Sequence, residues 1–274
     1  MTFNIDGALV LAGAGNMGAA LLAGWLERGL EPNRVLIQDP SPPAATQALL
    51  DRYGLSASAS LPASPVPPAV IVVAVKPQIM DDVFPALARR AGSKTVVLSI
   101  AAGRTLAGFE RHLEPGAAVV RAMPNTPAAI ARGITVAVAN AQVTASQRQL
   151  CDGLLRAVGE VEWVAEEAYL DAVTAVSGSG PAYVFYLAEC LAAAGVKAGL
   201  APDLALKLAR HTVSGAGELL LRSGLAPAKL REGVTSPNGT TFAALEVLMG
   251  THGLAGLMAQ AVDAATRRSR ELAK

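Results

Sequence analysis

The sequence predicts an α/β fold, a mainly parallel, doubly wound sheet over residues 1–163 followed by an all-helical part over residues 164–274. Three observations predict it. Strand-like and helix-like segments alternate through the first part, the order that builds parallel strands joined by crossover helices. The run Val70-Ile71-Val72-Val73-Ala74-Val75 is apolar without a break, as a strand covered on both faces should be. After Trp163 the strand signal stops and only helical spacing remains.

Residues 8–12 form a short apolar strand and 17–28 carry apolar residues at helical spacing. A strand at 34–38 leads to a helix at 44–53, and the Ser-, Ala- and Pro-rich stretch 56–68 reads as a surface loop. The strand at 70–75 is followed by a helix at 81–90, a strand at 95–100, a helix at 105–113 and a strand at 117–123. Strands at 134–139 and 161–164 flank a helix at 146–158. In the second part, 166–176, 181–198, 202–221, 240–249 and 254–273 read as helices. Pro181 and Pro202 suit first turns, where an N–H has no intrahelical partner. The stretch 183–194 lacks a polar face, so its helix must be buried. Five helices alone bury such surface poorly, which points to a partner subunit as the cover.

Composition narrows the function classes. The chain is 52% hydrophobic and only 16% charged, which argues against disorder. A net charge of +1 leaves no electrostatic footprint for nucleic acid or an anionic membrane surface. Residues 1–7 lack the basic stretch and apolar core of a signal peptide. No apolar run reaches the roughly 18 residues of a membrane helix. Cys151 and Cys190 read as buried thiols of a reducing compartment, so the expected setting is the cytoplasm. His112, His211 and His252 show no metal-ligand spacing, and no metal site is expected.

Gly13-Ala14-Gly15-Asn16-Met17-Gly18 is a GxGxxG between the first strand and the first helix. Its glycines allow a tight turn and close approach of backbone to a pyrophosphate, which faces the helix N-terminus. Alone the motif is weak; at the head of a βαβ unit it predicts a Rossmann-type dinucleotide site for NADPH or NADH. Asp39 ends the second strand, roughly 20 residues beyond the glycines, where a carboxylate can accept from ribose hydroxyls. A solvated turn residue is the alternative. Ala74-Val75-Lys76-Pro77 and Ala101-Ala102 close the next two strands, and ligands of open α/β sheets lie across such carboxyl ends. Lys76 also fits an ordinary exposed lysine.

Three later segments complete the pattern. In Met123-Pro124-Asn125-Thr126-Pro127 the prolines are expected to hold Asn125 and Thr126 in a stiff, extended loop. Ser177-Gly178-Ser179-Gly180-Pro181-Ala182-Tyr183 precedes a long helix, and Thr235-Ser236-Pro237-Asn238-Gly239-Thr240-Thr241 precedes another. The last places hydroxyls at a helix N-terminus, where free N–H groups and the dipole favour an anion. Each segment singly fits a capped helix start. Together, GAGNMG, AVKP, SIAAG, MPNTP, SGSGPAY and VTSPNGTTFAALEVL resemble the 1-pyrroline-5-carboxylate reductase family over nearly the whole chain. Asn238 departs from the glycine usual in the family, and asparagine tolerates an unusual φ.

The resemblance implies reduction of 1-pyrroline-5-carboxylate to L-proline, with hydride from C4 of a nicotinamide. It implies that Ser236, Asn238, Gly239, Thr240 and Thr241 bind the substrate carboxylate. The Thr241 hydroxyl would then bond the ring nitrogen as the catalytic contact, with Asn125 on the nicotinamide side. It also implies an intertwined homodimer, sometimes assembled into a larger ring. Residues 1–163 then form the dinucleotide-binding domain and 164–274 the helical substrate and dimerisation domain. The positions after Gly180 carry no lysine or histidine, unlike the related β-hydroxyacid dehydrogenases, which supply an acid there. A protonated cyclic imine brings its own proton and needs positioning more than acid catalysis. Tyr183 could donate one, but a buried core tyrosine is the plainer reading. Two alternatives stand beside this one: a reductase of another cyclic imine carboxylate, and a dinucleotide-binding regulator without turnover.

Overall fold

In the computed structural model, which describes residues 5–62 and 66–272, the first elements are β1 (Leu9–Ala12), α1 (Asn16–Glu27), β2 (Val35–Gln38) and α2 (Ala44–Tyr53). Next come β3 (Ala57–Ser58), β4 (Val70–Val73), α3 (Met80–Ala88), β5 (Val96–Ser99), α4 (Leu106–Glu110) and β6 (Ala118–Met123). β7 (Gly133–Ala139), α5 (Ala145–Arg156), β8 (Gly159–Trp163) and α6 (Tyr169–Val173) follow. The strands make one sheet in the order β3-β2-β1-β4-β5-β6-β7-β8. Every pair is parallel except β6 with β7. The chain winds outward from β1 in both directions, so the carboxyl ends of β1 and β4 flank the point where the winding reverses.

Alternation along the strands explains why this sheet needs helices on both sides. Leu9, Leu11, Val70, Val72, Val96 and Leu98 point to one face, under Leu21, Leu22 and Trp25 of α1 and Leu154 and Leu155 of α5. Val10, Ala12, Ile71, Val73 and Val97 point to the other, under Met80, Phe84 and Leu87 of α3 and Phe109 of α4. All of β1, β4 and β5 is buried, and each fully buried Val or Leu contributes roughly 1.5–3 kcal/mol. Trp25 keeps its polar edge satisfied by donating Nε1–H to the Leu154 carbonyl at 2.8 Å.

Several expectations need correction. Within the expected loop 56–68, Ala57 and Ser58 add a short edge strand to Ile37 and Gln38. The readings at residues 1–4, 63–65 and 273 lie outside the described residues. The helix expected at 105–113 is only α4, because Thr105 caps its start and His112 already sits in a turn, edge-on to Phe84. Cys151 is buried, and burial pushes its thiol up to about 12, but Cys190 is exposed in this chain.

The division of the chain also differs from a boundary at Trp163. One compact unit comprises Met1–Gly178 with Thr266–Lys274, and the other is Ser179–Ala265. Residues 164–178 stay with the sheet for two physical reasons. Leu170 of α6 is fully buried against Val136 and Val138 of β7. Glu167 Oε1 accepts from Arg121 of β6 and from the Leu106 amide of α4, each at 2.8 Å. Arg121 is 5% exposed and Glu167 27%, so this pair lies between surface and core. Glu167→Ala strands a buried guanidinium and is expected to cost about 2–3 kcal/mol in chemical denaturation, below the upper range for a fully buried pair. An unchanged unfolding midpoint would show that water replaces the carboxylate.

After α6 the chain passes through a π-helical turn, Thr174–Gly178, into α7 (Gly180–Lys197). The second unit continues with α8 (Pro202–Ser223), α9 (Pro227–Gly233), α10 (Thr240–Leu248) and α11 (Leu254–Leu272), whose last turns belong to the first unit. α9 was not expected. α7 and α8 approach closely where Gly195 faces Ala205. Among the described residues of the second unit only Ala205 and Ala209 are buried. Phe185 and Tyr186, on the helix expected to be wholly buried, are 63% and 66% exposed in the single chain. Among the described residues no helix is long and apolar enough to cross a membrane.

Candidate active site

Gly13 follows β1 with φ +91°, and a Cβ there would sit 2.6 Å from the Ala74 carbonyl oxygen. A Cβ on Gly18 would sit 2.1 Å from the Gly13 carbonyl oxygen. These two glycines let the loop, α1 and the end of β4 press together. Gly15 differs: a Cβ there meets nothing within 4 Å, so this residue borders open space. Gly15 is also the N-cap of α1, with no side chain covering the first amides of the helix, those of Asn16, Met17 and Gly18. An open cradle of uncapped N–H groups at a helix N-terminus fits a dinucleotide pyrophosphate.

The loop is anchored from β2 and α2. The Ala14 amide donates to Asp39 Oδ2 at 2.7 Å, and the Ser41 amide to Oδ1 at 2.9 Å. The buried Thr46 hydroxyl donates to the Ala14 carbonyl at 3.0 Å. Asp39 is therefore no free turn residue, and Thr46 went unnoticed because a threonine in a helix carries no signal of its own. Ala74, Val75, Lys76 and Pro77 follow β4, with Ala74 and Val75 packed under Gly13 and Lys76 exposed. Pro77 opens a 3₁₀ turn. Arg104 clamps it, donating to the Pro77 carbonyl at 3.0 Å and to both carboxylate oxygens of Asp81 at 2.9 Å. The Arg104 guanidinium holds the Asp81 carboxyl below the usual carboxylate range. This clamp joins residues 23 apart in the sequence, beyond what local spacing reveals.

Ala101 and Ala102 follow β5, where Ala101 is buried and its amide donates to Ser99 Oγ at 3.2 Å. Asn125, two residues past β6, is 9% exposed and extended at φ −131°. Its Oδ1 accepts from the Ile134 amide at 2.9 Å. Because that partner is a donor, the amide orientation is fixed and Nδ2 carries the donors to the other side. Thr126 is not extended as expected but opens a 3₁₀ turn, with Pro127 in its first positions. Gly178, in the π-helical turn, lies so near Met123 that a Cβ would sit 2.5 Å from the methionine methyl. Gly178 thus packs beside the end of β6, while the Ser177 hydroxyl donates back to the Val173 carbonyl at 3.0 Å. Tyr183 is half-buried, not a core residue.

In the second unit, Ser236-Pro237-Asn238-Gly239 forms a turn closed by the Gly239 amide donating to the Ser236 carbonyl at 3.0 Å. Pro237 in the second position and Asn238 at φ +56° in the third are what a type II turn takes. Asparagine therefore does here what glycine usually does. Gly239 is the N-cap of α10 without a side-chain cap, so the first amides of the helix, those of Thr240, Thr241 and Phe242, are uncapped. Ser236, Asn238 and Thr240 are exposed and Thr241 half-buried.

Residues 167–272 match the family model for pyrroline-5-carboxylate reductase dimerisation, and residues 8–103 match that for NADP oxidoreductase, coenzyme F420-dependent. A pyrroline-5-carboxylate reductase of Pseudomonas aeruginosa is 41% identical over 266 residues, covering 97% of this chain and 97% of its own. The chain belongs to the pyrroline-5-carboxylate reductase family. A solved member of this family from Coxiella burnetii superposes with a TM-score of 0.89 at 34% identity, over 98% of this chain and 99% of its own. The Plasmodium falciparum pyrroline carboxylate reductase, solved with NADP bound, gives 0.81 at 26% identity over the full length of both chains. Family membership accounts for both units at once, the doubly wound sheet and the helical dimerisation part.

Proposed function

We propose that the chain reduces 1-pyrroline-5-carboxylate to L-proline with a hydride from NAD(P)H, the last step of proline biosynthesis. The observation that carries the reading is the presence, in one chain, of two open helix N-termini of different lining. The α1 terminus, with Gly15 as its N-cap, carries no side-chain cap and suits a pyrophosphate. The α10 terminus is lined by Ser236, Thr240 and Thr241, suited to a small carboxylate. Gly13–Gly18, Asp39, Ala74–Pro77, Ala101 and Ala102 hold the dinucleotide, which supplies the hydride when bound. The amides of Gly239, Thr240 and Thr241 with the Ser236 hydroxyl hold the carboxylate, while Asn238 shapes the turn. The Thr241 hydroxyl bonds the ring nitrogen, and Asn125 Nδ2 steadies the nicotinamide side. The substrate enters as an iminium that already bears its proton, so these residues have to orient it at roughly 3–3.5 Å from the donor and need not supply an acid.

The active species in this proposal is a homodimer whose helical parts cover each other, with assembly of dimers into a larger ring as a further level. The unburied faces of α7 and α8 and the match to a dimerisation model support it. The setting we propose is the cytoplasm, with no nucleic acid or membrane as partner.

Steady-state oxidation of NADH and NADPH with 1-pyrroline-5-carboxylate, beside a six-membered cyclic imine carboxylate, tests the reaction. The five-membered ring should give the higher kcat/KM. Preference for the larger ring would move the assignment, and no oxidation with any imine would favour a regulator. Thr241→Ala should lower kcat/KM tenfold or more, about 1.4 kcal/mol, with coenzyme binding unchanged. Wild-type kinetics in that variant would remove Thr241 from the site.

A further inference from the structure

We infer that this reductase discriminates against the 2′-phosphate and prefers NADH, and that Asp39 sets the preference. The inference rests on the dinucleotide site proposed above and concerns its selectivity, where the matched model and the Plasmodium relative both carry NADP in their descriptions.

Asp39 stands directly after β2, whose last residue Gln38 pairs with Ala12 at the head of the glycine loop. Its carboxylate is held from two sides, Oδ2 by the Ala14 amide at 2.7 Å and Oδ1 by the Ser41 amide at 2.9 Å. An ionised carboxylate has about four acceptor positions, and these bonds occupy two of them. The remaining two suit the two hydroxyls of an adenosine ribose, which are donors. A 2′-phosphate has no proton to offer near neutral pH and meets a fixed negative charge instead. The group cannot swing away without giving up both amides.

Nothing in the adjoining segment offsets that charge. Residues 38–45, Gln-Asp-Pro-Ser-Pro-Pro-Ala-Ala, contain no lysine or arginine. The nearest arginine, Arg34, stands before β2 at the opposite end of the strand from Asp39 and is tied to Glu31 Oε2 at 2.9 Å and to the Ile5 carbonyl at 2.6 Å. The next from this segment is Arg52, left open by helical spacing alone. The helix removes it: Arg52 lies eight positions beyond Ala44, at the far end of α2, about 12 Å along the axis at roughly 1.5 Å per residue. There its guanidinium sits over the Tyr53 ring, 5.4 Å from the centroid. Pro40, between Asp39 and Ser41, has its φ fixed by its ring, which limits how far these two residues can move apart.

Fluorescence titration of the purified protein with NADH and NADPH, without substrate, reads the preference directly. NADH should bind at least tenfold more tightly, a difference of about 1.4 kcal/mol. Asp39→Asn keeps the shape and one acceptor oxygen but removes the charge. It should weaken NADH and bring the ratio of the two dissociation constants toward NADPH by about tenfold. Ser41→Arg, with Asp39 intact, adds a cation beside the ribose end and should move the ratio the same way even if Asp39→Asn loosens the loop. Equal or tighter NADPH binding by the wild type, or a ratio unmoved in both variants, overturns the inference and leaves the dinucleotide site standing. Failure to bind either coenzyme would instead overturn the site itself.

Discussion

Gly13→Ala is expected to lower stability by about 3 kcal/mol or more and to abolish coenzyme binding. Two costs add. At φ +91° an alanine is strained, by roughly 1–3 kcal/mol. Its methyl would also be driven to 2.6 Å from the Ala74 carbonyl oxygen, and forcing atoms into a filled space costs roughly another 1–3 kcal/mol. The crowded atoms yield poorly, because they are backbone of Ala74 and Val75 directly after β4, where the Ala74 amide is held to the Ala12 carbonyl at 2.7 Å. At roughly 2–4 °C per kcal/mol for a unit of this size, the midpoint of thermal unfolding should fall by about 6 °C or more. Gly15→Ala is the control. Its methyl meets no protein atom within 4 Å, so stability should hold while the dissociation constant for coenzyme rises about tenfold. If both variants lose stability equally, Gly15 does not border open space in the folded protein, and the glycine loop is no open cradle.

Tyr186→Asp should break the assembly and with it all activity. Tyr186 is 66% exposed on α7, and at about two and a half turns from Gly195 it lies on the face opposite the one that meets α8. A buried, unpaired carboxylate in an apolar contact costs several kcal/mol, enough to dissociate subunits at micromolar concentration. Sedimentation should show the wild type as a dimer or larger and the variant as monomer with partly melted helices. A variant that stays dimeric and active would mean that the partner lies on another face. An active wild-type monomer would end the dimer proposal altogether.

The sheet was legible because its strands are buried on both faces: Val70–Val73 cannot avoid reading as a continuous apolar run. The glycine motif was legible because backbone sterics admit little else at Gly13 and Gly18. What local spacing missed was decided at long range or on a small scale. β3 has two residues and gets its strand character from β2, and α9 has seven, too few for periodicity to register. The boundary at Gly178 depends on Glu167 meeting Arg121 across 46 residues. Asp39 was read for what it offers a ribose, while its hold on Ala14 depends on strand register, which sequence does not print. Cys190 was assigned to an interior that the single chain does not provide.

The last turns of α11 carry a consequence for how the protein is made. Ser269 Oγ donates to Asp171 Oδ1 at 2.7 Å, and Leu272 packs against Gly103 in the loop after β5. Both partners belong to the sheet-bearing unit, although the whole of Ser179–Ala265 is translated between them. A ribosome adding roughly 5–20 residues per second needs several seconds for that insertion. Through this interval the nascent sheet waits without its closing helix, and its loop after β5 lacks the contact that Leu272 supplies. Final closure of the coenzyme-binding unit therefore waits until the whole of Ser179–Ala265 has been made, even though most of its own sequence emerges first.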